Sequence, residues 1–219
     1  DWSSDVCSSD LEIGSIDDTN FAESSKLLLD ATEWVGRVAY IPRGDVLVLR
    51  ASSWGGPQSV CFVVYRSSAP SLAARRLSML APEPALLAIA IAALEQCGDV
   101  NARAESHSKA LRLLAGELAT IKDVTVHGTF ERPRLPHILA FSVEGIDAEA
   151  MAHALDARGY AVGAGSACIG ELGQPSHVLA AIGSSGHGAV RLSLPIDTAP
   201  EQLQSFADTT ASAIDALRK

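Results

Sequence analysis

Three short apolar runs near the start of the chain set the strongest limit on its fold. They are Leu27-Leu28-Leu29 ending at Asp30, Asp45 to Leu49 (DVLVL), and Val60 to Tyr65 (VCFVVY). None alternates apolar with polar residues, and short continuous runs of this kind predict strands of a sheet covered on both faces. The Gly55-Gly56-Pro57 turn separates the second run from the third. Residues 84–97 (PALLAIAIAALEQC) are apolar all round, which predicts a buried helix with Pro84 in its first turn. Beyond them Ala104, His107, Leu111, Leu114 and Leu118 recur at intervals of 3, 4, 3 and 4, one face of a long amphipathic helix.

After that helix the pattern changes character. Val124 to His127 and Ile138 to Val143 read as strands, and Asp147 to Arg158 as a helix closed by Gly159. Tyr160 to Ala164 and Ala189 to Leu194 read as further strands. A last helix runs from Pro200 to about Arg218, with Thr198 and Glu201 spaced as a capping box. The chain therefore divides near residues 98–103 into a partial large α/β domain (12–98) and a small α+β domain (99–219). Asp1 to Leu11 (DWSSDVCSSDL) show no apolar periodicity and resemble a translated sequencing adapter, so they are expected to stand outside the fold. With no initiator Met and no targeting signature, the chain is expected to derive from a truncated reading frame.

Composition narrows the function. The chain has 219 residues and a net charge of −9, with no basic stripe, which argues against nucleic-acid binding by electrostatics. Outside the first eleven residues the cysteines are Cys61, Cys97 and Cys168, with no CxxC pair, as expected of a reducing compartment. Cys61 and Cys97 read as small hydrophobes. The longest apolar stretch, Ala85 to Leu94, is too short to cross a bilayer, and the expected location is the cytoplasm. His107 reads as a packed side chain, and His127, His137, His153 and His187 lack metal-ligand spacing, so no metal site is expected.

Two side chains invite chemistry. Cys168 lies in Gly163-Ala164-Gly165-Ser166-Ala167-Cys168-Ile169-Gly170, a glycine-rich loop whose open N–H groups can help stabilise a thiolate. It reads as a reactive thiol or a structural one, and the loop leans toward the former. Arg191 stands inside the apolar run Val190-Arg191-Leu192-Ser193-Leu194. There a guanidinium is either half exposed on an edge strand or aimed at an anion, which it grips in bidentate fashion.

Taken together, GSACIGELGQPSHVLAAIG followed by VRLSL resembles the C-terminal signature of cysteine desulfurases, pyridoxal-phosphate enzymes of the class V aminotransferase group. Leu29-Asp30-Ala31-Thr32-Glu33-Trp34-Val35-Gly36 resembles the family's cofactor-ring segment, Leu49 to Pro57 its cofactor-lysine segment, and Arg134-Leu135-Pro136-His137 its Arg-x-Pro-Asn. The resemblance implies an α/β chain: the C-terminal part of a pyridoxal-phosphate-dependent large domain, with a mixed sheet and helices, then the small α+β domain. It implies a reaction that removes sulfur from L-cysteine, leaving alanine and a persulfide on Cys168. Asp30 would keep the cofactor's pyridine nitrogen protonated, and Arg191 would hold the substrate carboxylate. A sulfur-acceptor protein, a homodimer, and a role in iron–sulfur assembly or tRNA thiolation follow from the same resemblance, with no direct nucleic-acid or membrane partner.

The sequence also departs from that pattern. Where the family reads Ser-x-His-Lys, this chain has Arg50, Ala51, Ser52 and Ser53. A serine hydroxyl forms no imine and is a poor base near neutral pH. Arg50 is a candidate partner for the cofactor phosphate in place of the changed residues. Glu33 stands where the family places a Gln against the cofactor's phenolate oxygen, and would have to be protonated to donate there. The family's N-terminal half, which supplies further phosphate contacts and a ring-stacking histidine, has no counterpart in this sequence. Three readings result: a divergent desulfurase, a non-catalytic homologue that relays sulfur on Cys168, or a structural, partner-binding subunit.

Overall fold

A computed structural model describes residues 6–8, 12–16, 28–38, 45–65, 83–164, 177–182 and 189–219. The chain forms two compact units, one of residues 1–9 and 16–104, the other of residues 10–15 and 105–219.

The first unit is built on a mixed four-stranded sheet in the order β1 (Val6–Ser8), β2 (Leu28–Asp30), β3 (Val46–Arg50), β4 (Cys61–Tyr65). The first three strands are parallel, and β4 returns antiparallel to β3. The segment expected to stand outside the fold thus contributes a strand. Val6, Cys7 and Ser8 pair with Leu28, Leu29 and Asp30, because a strand edge accepts backbone partners whatever their side chains. The core gathers Leu29, Ala31, Trp34, Leu47, Ala51, Trp54 and Cys97, and the Trp54 ring lies 5.7 Å from that of Phe62.

Helix α1 (Pro84–Glu95) starts with Pro84 in its first turn, where a missing N–H costs nothing. Its expected burial is not found: of its twelve residues only Ala90 is buried, and the Trp54 indole N–H donates to the Ala90 carbonyl at 2.9 Å. Sheet coverage is likewise incomplete, with Val63 and Val64 of β4 37% and 45% exposed. Cys61, expected to pack as a small hydrophobe, is also exposed. An apolar run signals a preference for burial but does not supply the surface that satisfies it.

Helix α2 (Val100–Ala119) contains the boundary between the units, and in the second unit it buries His107, Ala110, Leu111, Leu114, Ala115 and Leu118 as its spacing predicts. That unit carries an antiparallel sheet in the order β5 (Val124–His127), β6 (Ile138–Val143), β8 (Val190–Ser193), β7 (Gly163–Ala164). One face, with Leu139, Phe141, Val143, Val190 and Leu192, joins the core formed with α2, α3 (Ala148–Asp156) and α5 (Phe206–Leu217). On the other, Ala140 packs with Ile13, with Ala189, and with Leu179 of the short helix α4 (His177–Ala181).

Asp147 caps α3 by accepting from the N–H groups of Glu149 at 2.8 Å and Ala150 at 3.3 Å. Gly159 beyond it takes the left-handed backbone, φ +89°, that ends such a helix. The strand expected over Tyr160 to Ala164 is confined to Gly163–Ala164. The last helix is broken. A 3₁₀ turn over Pro200–Leu203 precedes α5, and the capping contact runs from the Ala199 N–H to Gln202 Oε1 at 2.7 Å, not between Thr198 and Glu201. Packing explains the break, since Phe206 is fully buried with its ring edge-on to Phe141 and Tyr160. Among the described residues no single helix is long and apolar enough to cross a membrane.

Candidate active site

In the first unit the predicted residues gather where the parallel strands β2 and β3 end, the edge at which open α/β sheets bind ligands. Asp30 is the last residue of β2 and pairs across the sheet with Val48. Its Oδ1 accepts the Thr32 N–H at 3.0 Å and the Thr32 hydroxyl at 2.7 Å, which fixes the carboxylate at the start of the turn over residues 32–37. Arg50 is the last residue of β3, two positions beyond Val48, so it shares a sheet face with Asp30. Its guanidinium donates to the carboxylate of Glu33 in an ion pair. The Arg50 side chain is 45% exposed and that of Glu33 14%.

Ser53 follows in the 3₁₀ turn Ala51–Trp54 and is 2% exposed. Its hydroxyl lies 2.8 Å from the Val35 carbonyl and 2.9 Å from that of Arg50, either of which can accept its single proton. The Ser53 carbonyl in turn accepts from Arg37 Nε at 2.8 Å. Ser53 is therefore a tie between the turn after β2 and the end of β3. Arg37 is a member of this group that the sequence does not announce, because its partner lies sixteen residues away in another loop.

In the second unit Arg191 occupies the centre of a cross-strand row. It pairs with Ala140 of β6 on one side and Gly163 of β7 on the other, and Ala140 pairs with His127 of β5. Both immediate neighbours are small. A Cβ added at Gly163 would lie 3.6 Å from Arg191 Nη2 and 3.7 Å from Nε, so the guanidinium extends over the glycine. The glycine-rich segment with Cys168 follows β7 in sequence, and Cys168 lies outside the described residues.

The same sheet face holds a pair that sequence reading passes over. Buried His127 and Ser142 meet through Nε2 and Oγ at 2.9 Å, and burial lowers the imidazole pKa below its usual 6.5. Nearby, Arg134 donates to the Ile138 carbonyl at 2.6 Å and the Ile13 carbonyl at 3.3 Å, with its guanidinium 4.1 Å from the centre of the Phe130 ring. Burial, then the charge of Arg112, lowers its pKa to about 10. The His127–Ser142 and Arg134–Ile13 contacts are distant in sequence, and strand spacing makes residues face the same way without saying which segments are adjacent.

The chain is 34% identical over 111 residues to an IscS-like cysteine desulfurase of Mycobacterium tuberculosis, covering 49% of this chain and 28% of that one. It is 29% identical over 204 residues to a cysteine desulfurase of Cereibacter sphaeroides, covering 86% of this chain and 52% of that one. The chain thus spans about half, or less, of the length of these relatives. Among solved structures it superposes on a NifS-like protein with a TM-score of 0.77 at 18% identity, over 99% of this chain and 62% of that one. An apo cysteine desulfurase from Thermococcus onnurineus gives a TM-score of 0.70 at 16% identity, over 89% and 54% of the two chains. These neighbours share the α/β fold. The aminotransferase class-V profile matches residues 81–206, more than half of the sequence, and the chain belongs to that family.

Proposed function

We propose that this chain is the C-terminal part of a cysteine desulfurase-like protein that carries sulfur on Cys168 and passes it to an acceptor protein. The complete family reaction draws sulfur from L-cysteine with pyridoxal 5'-phosphate, and its members form homodimers. Asp30 suits that cofactor, because a carboxylate at a strand end can hold a ring N–H. Residue 53 does not suit it. The serine has no amine, and its hydroxyl is engaged with the carbonyls of Val35 and Arg50. That engagement is the observation behind a sulfur-relay reading.

In the relay reading the Cys168 thiolate attacks the outer sulfur of a low-molecular-weight persulfide. A new S–S bond forms at Cys168, the donor's S–S bond breaks, and the donor leaves as a thiolate. Arg191 of β8, extended over Gly163 of β7, suits the carboxylate of an amino-acid donor. The test is to incubate the full chain with cysteine persulfide, alkylate, and locate the added sulfur by mass spectrometry. Label on Cys168 that disappears in Cys168→Ala supports the relay, and equal labelling of both proteins ends it. A parallel incubation with L-cysteine and pyridoxal phosphate should yield no alanine. Alanine formed with a borohydride-fixed cofactor would replace the relay with a complete desulfurase.

A further inference from the structure

We infer that the outer face of α2 around Arg112, together with Phe130 and Arg134, is a docking surface for an acidic polypeptide segment whose backbone crosses α2 at Gly116. The inference goes beyond the sulfur reading and uses no part of the Cys168 segment. Two independent observations carry it. The first is a pair of like charges on one ring. The Arg134 guanidinium lies 4.1 Å from the centre of the Phe130 ring and that of Arg112 lies 5.1 Å from it. Among the described residues neither has a carboxylate partner, and the Arg112 charge adds to the burial that lowers the Arg134 pKa to about 10. Arg134 is engaged with the carbonyls of Ile13 and Ile138. Arg112 is exposed, and its Nη2 donates to the Phe130 carbonyl at 2.9 Å. That bond and the ring hold the side chain in place, so an incoming carboxylate meets a guanidinium already oriented.

The second observation is Gly116. It lies inside α2 about one turn beyond Arg112, on the same exposed face, and a Cβ built there meets no atom within 4 Å. Glycine in a helix interior is destabilising relative to alanine, and no close contact within the chain requires it here. A bare backbone on an exposed helix face is what lets a second backbone come close. Lys109 and Leu113 extend the same strip, with Leu113 62% exposed. Arginine and an aromatic ring beside exposed apolar surface match the composition of a protein interface. Glu117 and Glu131 border the strip, so its positive charge is local, in a chain whose net charge of −9 repels a long polyanion. A short acidic segment fits that field better than a nucleic-acid strand does.

The experiment titrates the full chain into a fluorescein-labelled peptide of Glu-Asp-Gly-Leu repeats and follows its anisotropy. A Lys-Arg-Gly-Leu peptide and a single-stranded oligonucleotide are the controls. The acidic peptide should bind, less tightly as salt is raised, and neither control should match it. Arg112→Gln should weaken binding about three- to fivefold. Gly116→Gln should weaken it by a similar factor while raising the melting temperature, because glutamine is the better helix former. A purely structural role for residue 116 would move the melting temperature alone. If Arg112→Gln does not fold, Lys109→Gln on the same strip takes its place, with a smaller loss expected. The inference is overturned if the acidic peptide does not bind, if either control binds as tightly, or if a folded variant of the strip binds like the unsubstituted chain. Cys168→Ala should bind the peptide unchanged, so failure of the sulfur reading and failure of this one are told apart.

Discussion

A buried imidazole charges only at a cost, and His127 shows the consequence for the second unit. Its Nε2 is satisfied by Ser142 Oγ at 2.9 Å, and burial lowers its pKa in the folded chain. The unfolded chain, with an ordinary histidine near 6.5, takes up the proton first. Stability from this group is therefore fully present above about pH 6.5 and declines as pH falls toward the lowered folded value. Melting temperature should drop on acidification more steeply for the unsubstituted protein than for His127→Gln, which keeps a polar group but does not titrate. Near neutral pH the variant should be less stable by about 1 kcal/mol, the worth of one imperfectly replaced hydrogen bond. His107 and His137 are common to both proteins, so the difference between the two curves isolates residue 127; parallel curves would remove it as the source. In sequence this histidine is one of six scattered along the chain. Its partner is fifteen residues away, and only the pairing of β5 with β6 brings them together.

At the scale of elements, the turn after β2 is shaped by one close approach. Gly36 has φ +77°, and a Cβ there would lie 2.6 Å from Trp54 Cβ and 3.4 Å from Cys97 Sγ. Gly36→Ala combines a left-handed backbone with an overlap in a packed core, and should cost the first unit about 2–4 kcal/mol. Denaturant unfolding followed by tryptophan emission measures it, and a change below about 1 kcal/mol would show that the turn can move away from Trp54. Elements were legible in the sequence where periodicity is a local property. The face of α2, the run of β6 and the Asp147 cap of α3 all lie within a few residues of the signal that predicts them. The interruption of the final helix was not legible, because the decision rests with Phe206 and its ring contacts to Phe141 and Tyr160. Of the candidate site, the residue types were readable, with Asp30 and Arg50 at strand ends. The Arg50–Glu33 pairing and the Ser53 tie were not, since each depends on which loop lies above which strand.

At the scale of the whole molecule, the composition promises more burial than the chain delivers. Helix α1 is apolar on every side, yet Ile89 and Ile91 are 54% and 47% exposed. Two residues apart on a helix lie on nearly opposite sides, so exposure of both means that no single neighbour covers α1. Val63 and Val64 point to opposite faces of β4, and both are exposed as well. Apolar surface of this extent is what solvatochromic dyes detect and what drives association in dilute solution. The chain should therefore enhance the emission of anilinonaphthalene sulfonate while keeping a fully native circular dichroism spectrum. Ile89→Glu with Ile91→Gln should reduce that emission and leave the spectrum unchanged, because both replacements are good helix formers and neither removes a buried contact. Equal dye emission from the two proteins, with equal helix content, would place the exposed apolar surface elsewhere than on α1.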